Sequence, residues 1–412
     1  MYLHGVYGEQ SPTQDSIPIY AGTLPVYIGT APVEQLTDRS GAVNTPVLIN
    51  GFDDAKAKIG YSDNWGKYTL CEAVYAHFKN KIGSIGPIAV INVFDPDVHS
   101  DENPVKAADI AGGVDADGNR TGIACVDLIY QKYNMIPSII ASPGWSQKPE
   151  VEAALIEKCQ KINGHWDAAI VADIDSSSAK TIAAAKTWKQ TNAYDSKLEK
   201  VCWPKVLMGD KEFWLSTFTV VRMCLTDYAN ENIPFESPSN KALGITGTVL
   251  ADGTPVNFDE IQANDLNSDG ITTVVYRTGS WVLWGPHNGN YKYGAEIDPK
   301  DRFDCNIRMM MYLTNSFQAA YMQDVDQPLS RARVDSILND AQVWLNSLIS
   351  DGRLMFAEIN FNETSNDISS VVEGDFVFDI RTTTTPPGKS LTFRVQYTTQ
   401  GLNALFGGEA NV

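Results

Sequence analysis

The chain has 412 residues, which at roughly 150 residues per domain points to two or three domains. Hydrophobic residues make up 43% and charged residues 20%, a globular composition that excludes a disordered or fibrous chain. Fifty acids against 32 Lys and Arg leave a net charge of −18, which argues against a nucleic-acid footprint and against attachment to an anionic membrane.

No apolar run approaches the roughly 18 residues of a transmembrane helix. The opening MYLHGVYGEQSP lacks the basic and apolar regions of a secretory signal. The six cysteines are never closer than 22 residues, so no CxxC spacing exists, and they read as buried, reduced thiols of a protein made in the cytosol.

Residues 1–22 hold Gly5, Gly8, Gly22, Pro12 and Pro18, two acids and no Lys or Arg. They read as a strand-prone arm that frays or pairs with something. A strand follows at 24–30 and another at 46–49, then a helix at 53–59. A longer helix at 68–81 carries Leu70, Val74 and Phe78 and is expected to stop at Gly83. The apolar run 87–94 reads as a buried strand. From 95 to 119 seven acids mark a solvated outer loop, with Asp117-Gly118 as a hairpin signal.

Residues 135–230 alternate strand and helix: strands at 136–141, 168–173 and 201–208, helices at 150–163, 179–191 and 212–229. Such alternation predicts a mainly parallel sheet with helices on its faces. Residues 230–270 read as loops. Strands at 271–276 and 281–284 follow, with Trp281 and Trp284 read as one buried face. The last region holds helices at 303–322 and 331–350, the second capped by Ser330. It continues with strands at 354–362 and 375–383, a break at Pro386-Pro387-Gly388, and a strand at 390–398. The expectation is an α/β, multi-domain (α+β) chain with a mainly parallel middle sheet, a smaller α+β C-terminal domain and extended arms. Its units are 1–22 (arm), 23–130, 131–284, 285–388 and 389–412 (strand and arm).

Catalytic signals fail one by one. Asp265 to Gly270 opens like an EF-hand loop, but position 12 is Tyr276 and no helix is expected before it, so it reads as an Asx-rich turn. There is no GxxxxGK[ST], and no GxGxxG follows a strand. The turn Ser142-Pro-Gly-Trp-Ser146 lies at a carboxyl end of the sheet, yet is not GxSxG, and reads as the approach to a helix. The five histidines are scattered. No catalytic, metal or cofactor-binding residue is assigned, and no cofactor is expected. What remains is a pair of strand-like ends. His4, Val6, Tyr7, Ile17 and Ile19 at one end, and Leu391, Phe393 and Val395 at the other, are candidates for adding to a neighbour's sheet edge. Head-to-tail exchange of that kind builds rings or helical tubes.

The segment Val26-Tyr-Ile-Gly-Thr-Ala-Pro32 resembles the early "F-x-G-T-A" strand of contractile tail sheath proteins from phages and phage-like bacteriocins. Pro46-Val-Leu-Ile-Asn50, Leu70-Cys-Glu-Ala-Val74 and Ala89-Val-Ile-Asn-Val93 resemble its next stretches. Leu266-Asn-Ser-Asp-Gly-Ile271 with Trp284-Gly285 resembles "L-N-x-x-G-I … W-G-x-R-T", although His287-Asn288 replaces the Arg-Thr pair. The order of helices and strands from Arg308 to the last strand also resembles the family's C-terminal domain. The resemblance spans nearly all of the chain, in order.

It implies a non-enzymatic, self-associating subunit of a virion tail or tail-like particle, made in the host cytoplasm. Its partners would be further copies of itself, a tail tube protein, and baseplate and tail-terminator proteins, with no nucleic acid and no membrane bound directly. The C-terminal domain would face the tube. Arg331 and Arg333, which oppose the dipole of their own helix, are then the tube-contact candidates, unless they simply pair with Asp324 or Asp326. Two alternatives stay open: a static capsid-like array, and an α/β enzyme with a site near 141–146.

Overall fold

The computed structural model of the chain describes residues 23–406. The arm candidates His4, Val6, Tyr7, Ile17 and Ile19 lie outside the described residues. In chain order the first half holds β1 (Leu24–Gly29), β2 (Pro46–Ile49), α1 (Phe52–Ile59), α2 (Thr69–Lys79), β3 (Ile88–Asn92), α3 (Ala107–Ala111), β4 (Gly113–Val114), β5 (Arg120–Thr121), α4 (Leu128–Tyr133), β6 (Pro137–Ala141), α5 (Pro149–Lys158), β7 (Ala169–Asp173), α6 (Ile182–Thr191) and β8 (Glu199–Cys202).

The second half continues with β9 (Lys205–Met208), β10 (Lys211–Phe213), α7 (Leu215–Ala229), β11 (Gly247–Val249), α8 (Glu260–Asn267), β12 (Ile271–Arg277), β13 (Ser280–Trp284), α9 (Asp304–Tyr321), α10 (Arg331–Ser350), β14 (Leu354–Asn360), α11 (Ile368–Glu373) and β15 (Asp379–Thr384).

Eight strands form one sheet in the order β13-β12-β8-β7-β6-β1-β3-β2. All neighbours are parallel except the two edges, where β13 and β2 run antiparallel. Alternation along each strand divides two cores. Tyr27, Ile139, Ala141 and Val171 join α2 and α7 on one face; Val26, Ile28, Ile140 and Ile170 join α5 on the other. Both faces are covered, which is why β1, β3 and β7 read as continuous apolar runs. The sheet draws strands from both sides of residue 130.

Several local expectations need correction. The strand expected at 201–208 is two strands: β8 ends at Cys202, and after Trp203-Pro204 the chain enters a separate sheet, β10-β9-β11. Proline has no N–H to continue a ladder. The helix expected from 212 begins at Leu215, because 211–213 pairs with β9. The helix expected to run to 163 ends at Lys158, and Lys161 and Asn163 turn through positive φ of 53° and 51°.

The expected loop at 230–270 contains α8. Asp259 and Gln262 form its capping box, and Ala263 and Leu266 are buried. The acids of the EF-hand-like stretch therefore end a helix, where Asp265 and Asp269 both bind Lys186 at 2.7 and 2.8 Å. Trp281 and Trp284 stand three apart and so face opposite sides of β13, one against the α7 side and the other beside Ala263 and Val275.

A smaller core sits at the C-terminal end. Met309 and Leu313 of α9, Ala341, Trp344, Leu345 and Leu348 of α10, and Ala357 and Ile359 of β14 build it. Ser330 caps α10, its Oγ accepting from Arg333 N at 3.3 Å. β14 and β15 pair antiparallel as a two-stranded sheet. The strand expected at 390–398 forms no ladder among the described residues, and Leu391, Phe393 and Val395 are 76%, 86% and 95% exposed. A strand pattern needs a neighbour to become a strand, and the described residues supply none there.

Candidate assembly surfaces

Backbone groups at a sheet edge must find partners, and unpaired ones form a template for another chain. The large sheet closes both of its edges. Along β13, residues 240–243 return to donate or accept: Leu243 N to Trp281 O at 3.0 Å, Leu283 N to Lys241 O at 3.0 Å, and Asn240 N to Leu283 O at 2.6 Å. Along β2, side chains do the work. Lys132 Nζ and the Tyr133 hydroxyl donate to Pro46 O at 3.0 and 2.9 Å, and Lys58 Nζ donates to Leu48 O at 2.7 Å.

The small sheet is different. Among the described residues it has two strands, and apolar side chains around it face outward: Met355 and Phe356 on β14, Ile368 and Val372 on α11. The tail beyond it alternates Leu391, Phe393, Val395 and Tyr397 with Thr392, Arg394, Gln396 and Thr398. The four apolar members of that row are all exposed.

Two buried ion pairs fasten α9 to the large body. Arg308 meets both carboxylate oxygens of Asp227 on α7, and Thr23 Oγ1 donates to the same carboxylate at 2.7 Å. Burial works against the Arg308 charge, but the Asp227 carboxylate outweighs it and holds the guanidinium above its ordinary value. Lys200 Nζ donates to Asp304 Oδ2 at 2.6 Å and to Gly285 O at 2.7 Å. Sequence reasoning missed all four residues. Their partners lie 81 and 104 positions away, which no local pattern encodes.

The carboxyl edge near 141–146 is packed with its own side chains. Ser146 is fully buried, and its Oγ accepts from Asp173 N at 3.2 Å. Asp173 in turn takes the N–H of Ser216 at 2.9 Å and its hydroxyl, while Glu72 takes Trp214 N and Thr217 Oγ1 at 2.8 Å each. The two carboxyls thus serve the first turn of α7. Burial pushes Glu72 up to about 8 and Asp173 up to about 7.

Arg331 pairs with Asp335 at 2.9 Å, and Arg333 with Asp324 through its Nε at 2.9 Å. Both arginines keep exposed surface. The acidic loop draws cations from elsewhere: Asp97 meets Arg39 at 3.3 Å and Asp101 meets Lys67 at 2.7 Å. His287-Asn288, the departure from the family pattern, is satisfied internally. His287 stacks on Tyr291 and Phe303, and Asn288 Nδ2 donates to Lys197 O at 2.6 Å. The six cysteines are buried and free.

No protein-family model matches the sequence. Among curated proteins, the putative prophage major tail sheath protein of Pseudomonas aeruginosa strain UCBPP-PA14 is 26% identical over 369 residues, 88% of each chain. The tail sheath protein of Escherichia phage P2 is 26% identical over 372 residues, 86% of each. The chain is a contractile tail sheath protein. Solved structures carry the same fold. A chain of the anti-feeding prophage baseplate superposes with a TM-score of 0.67 at 15% identity, covering 97% of this chain and all of that one. A chain of the PVC sheath complex in its contracted state gives 0.67 at 13% identity with the same coverage. The sheath subunit therefore belongs to a virion tail or a phage-tail-like particle.

Proposed function

We propose that this sheath subunit polymerises as stacked rings around a tail tube, and that its two ends link each subunit to its neighbours. Arm residues His4, Val6, Tyr7, Ile17 and Ile19, and Leu391, Phe393 and Val395, add as strands to the small sheet of adjacent copies. The observation that carries this reading is the contrast of edges: the large sheet is closed from within, while the small sheet stands beside an alternating tail whose apolar members are exposed and which joins no ladder among the described residues. Covering one such side chain is worth about 1.5–3 kcal/mol, so a row of them gives a substantial docking energy.

Contraction is then a change of rigid bodies about linked interfaces, with the extended state trapped at assembly and the contracted state better packed. It needs no nucleotide, and it drives the tube through a bacterial envelope. We assign the division into arms, α/β body and inner C-terminal domain to that mechanism, with Arg331 and Arg333 on the tube side. Baseplate and terminator proteins bound the column at its ends. The filled carboxyl edge around Ser146 supports a structural rather than enzymatic role. Negative-stain microscopy of the chain expressed with and without its tube protein tests the reading. Tubular polymers in a long, narrow and a short, wide form are expected. A single static lattice would favour an array protein, and monomers alone would contradict self-assembly.

A further inference from the structure

α10 packs against β14, and one side chain reaches from the helix to the strand's edge. Gln342 Oε1 accepts from Ile359 N at 3.1 Å, and Gln342 Nε2 donates to Ala357 O at 3.2 Å. Nε2 also donates to Asn346 Oδ1 at 2.9 Å. A carbonyl and an N–H two residues apart are the pair that one residue of a parallel neighbouring strand engages with its own N–H and C=O. A primary amide offers that same donor and acceptor.

Successive backbone groups of a strand point to opposite edges, so those of 357 and 359 share one edge and those of 356 and 358 the other. Thr382 Oγ1 of β15 donates to Phe356 O at 3.0 Å, which places the 356 side toward β15. Gln342 therefore sits on the outer edge of β14, where a third strand would go. Its neighbour on the helix, Val343, is 70% exposed.

We propose that Gln342 is a placeholder for a docking strand: it occupies the outer edge of β14 in the free subunit and is displaced when residues 390–398 of a second copy pair there. This rests on the arm reading above and adds a control to it. The occupant is argued from the tail itself, whose Leu391, Phe393, Val395 and Tyr397 form one exposed row with strand period and join no ladder among the described residues. A docked strand of either direction requires the Ala357 carbonyl or the Ile359 N–H, so it cannot coexist with both Gln342 bonds. An edge satisfied by a side chain is also less open to premature pairing.

The test is Gln342→Met in the full chain, which keeps bulk and removes both hydrogen bonds. Each such bond is worth about a factor of two to ten in an equilibrium, so with two removed the concentration needed for tube formation should fall about four- to a hundredfold. Amide exchange at Ile359 should quicken in the soluble variant, and in wild-type tubes it should slow beyond the soluble subunit. An unchanged or higher assembly concentration in a variant with a normal melting temperature overturns the proposal. So does Ile359 protection in the wild-type monomer that disappears when residues 388–412 are removed, because the chain's own tail would then hold the edge. Gln342→Asn, too short to span both groups, repeats the test if the Met variant folds poorly. Failure of the arm reading looks different: tubes would form normally without residues 388–412, whatever Gln342 does.

Discussion

Along β13 the edge of the eight-stranded sheet is taken by residues 240–243, and along β2 by Lys58, Lys132 and Tyr133. Along β14 a single glutamine amide stands at the edge, and the tail after β15 leaves four apolar side chains in solvent. The two regions answer the same physical problem, unpaired backbone at a sheet edge, in opposite ways. The large sheet is finished inside the subunit. The small one is finished only in part, which suits the joining of copies proposed for it. On the proposed arm reading, stability and association are carried by separate residues in this chain, so each should be open to perturbation without the other.

The largest expected effect on folding is in the body. Arg308→Met leaves Asp227 buried and unpaired at the junction of α7 and α9, and should cost about 3–5 kcal/mol by chemical denaturation. Adding Asp227→Leu should recover much of that loss. A loss no larger than that of a surface arginine would place the pair outside the frame of the fold.

Next comes a pH effect. Glu72 and Asp173 hold their protons in the folded chain to about 8 and 7, whereas an unfolded chain loses them near 4. The folded state binds more protons between those values. Their contribution to stability is therefore greatest below about 4 and is lost progressively as pH rises toward 8. Glu72→Gln keeps an oxygen for Trp214 N and Thr217 Oγ1 and removes the titration. Its melting temperature should gain on wild type between pH 5 and pH 8, on the order of 1.4 kcal/mol per unit of raised pKa. Parallel pH profiles would contradict the assignment.

Smaller effects on folding belong to the rim. Arg331→Glu with Arg333→Glu breaks two exposed pairs and should cost under about 1 kcal/mol in the subunit. It should nevertheless give fewer tube-filled, extended sheaths by micrograph counts. Wild-type counts would return both arginines to surface pairing alone. The smallest effect is expected from Asp97→Asn, Asp101→Asn and Glu102→Gln together. These side chains are exposed, and assembly should be unchanged in turbidity; a loss would put the acidic loop at an interface.

Much of the body was legible in the sequence. The apolar runs of β1, β3 and β7 announced a sheet buried on both faces, and Ser330 announced the start of α10. Long-range detail was not. Pro204 signalled a break that a reading by hydrophobicity alone ran through. The Asp259–Gln262 capping box announced α8, but its polar surroundings hid it. The pairs Arg308–Asp227 and Lys200–Asp304 had no local signal at all. The strand period of Leu391, Phe393 and Val395 was legible as well. That they join no ladder among the described residues was not, since periodicity reports what a segment could pair with and not whether a partner is present.

The central claim is that association resides in the ends and stability in the body. The direct measurement compares the full chain with a chain ending at Lys389, each followed by thermal melting and by sedimentation with electron microscopy. The account predicts melting temperatures within a few degrees of each other and tubes from the full chain alone. Normal tubes from the truncated chain, or its failure to fold, would contradict it.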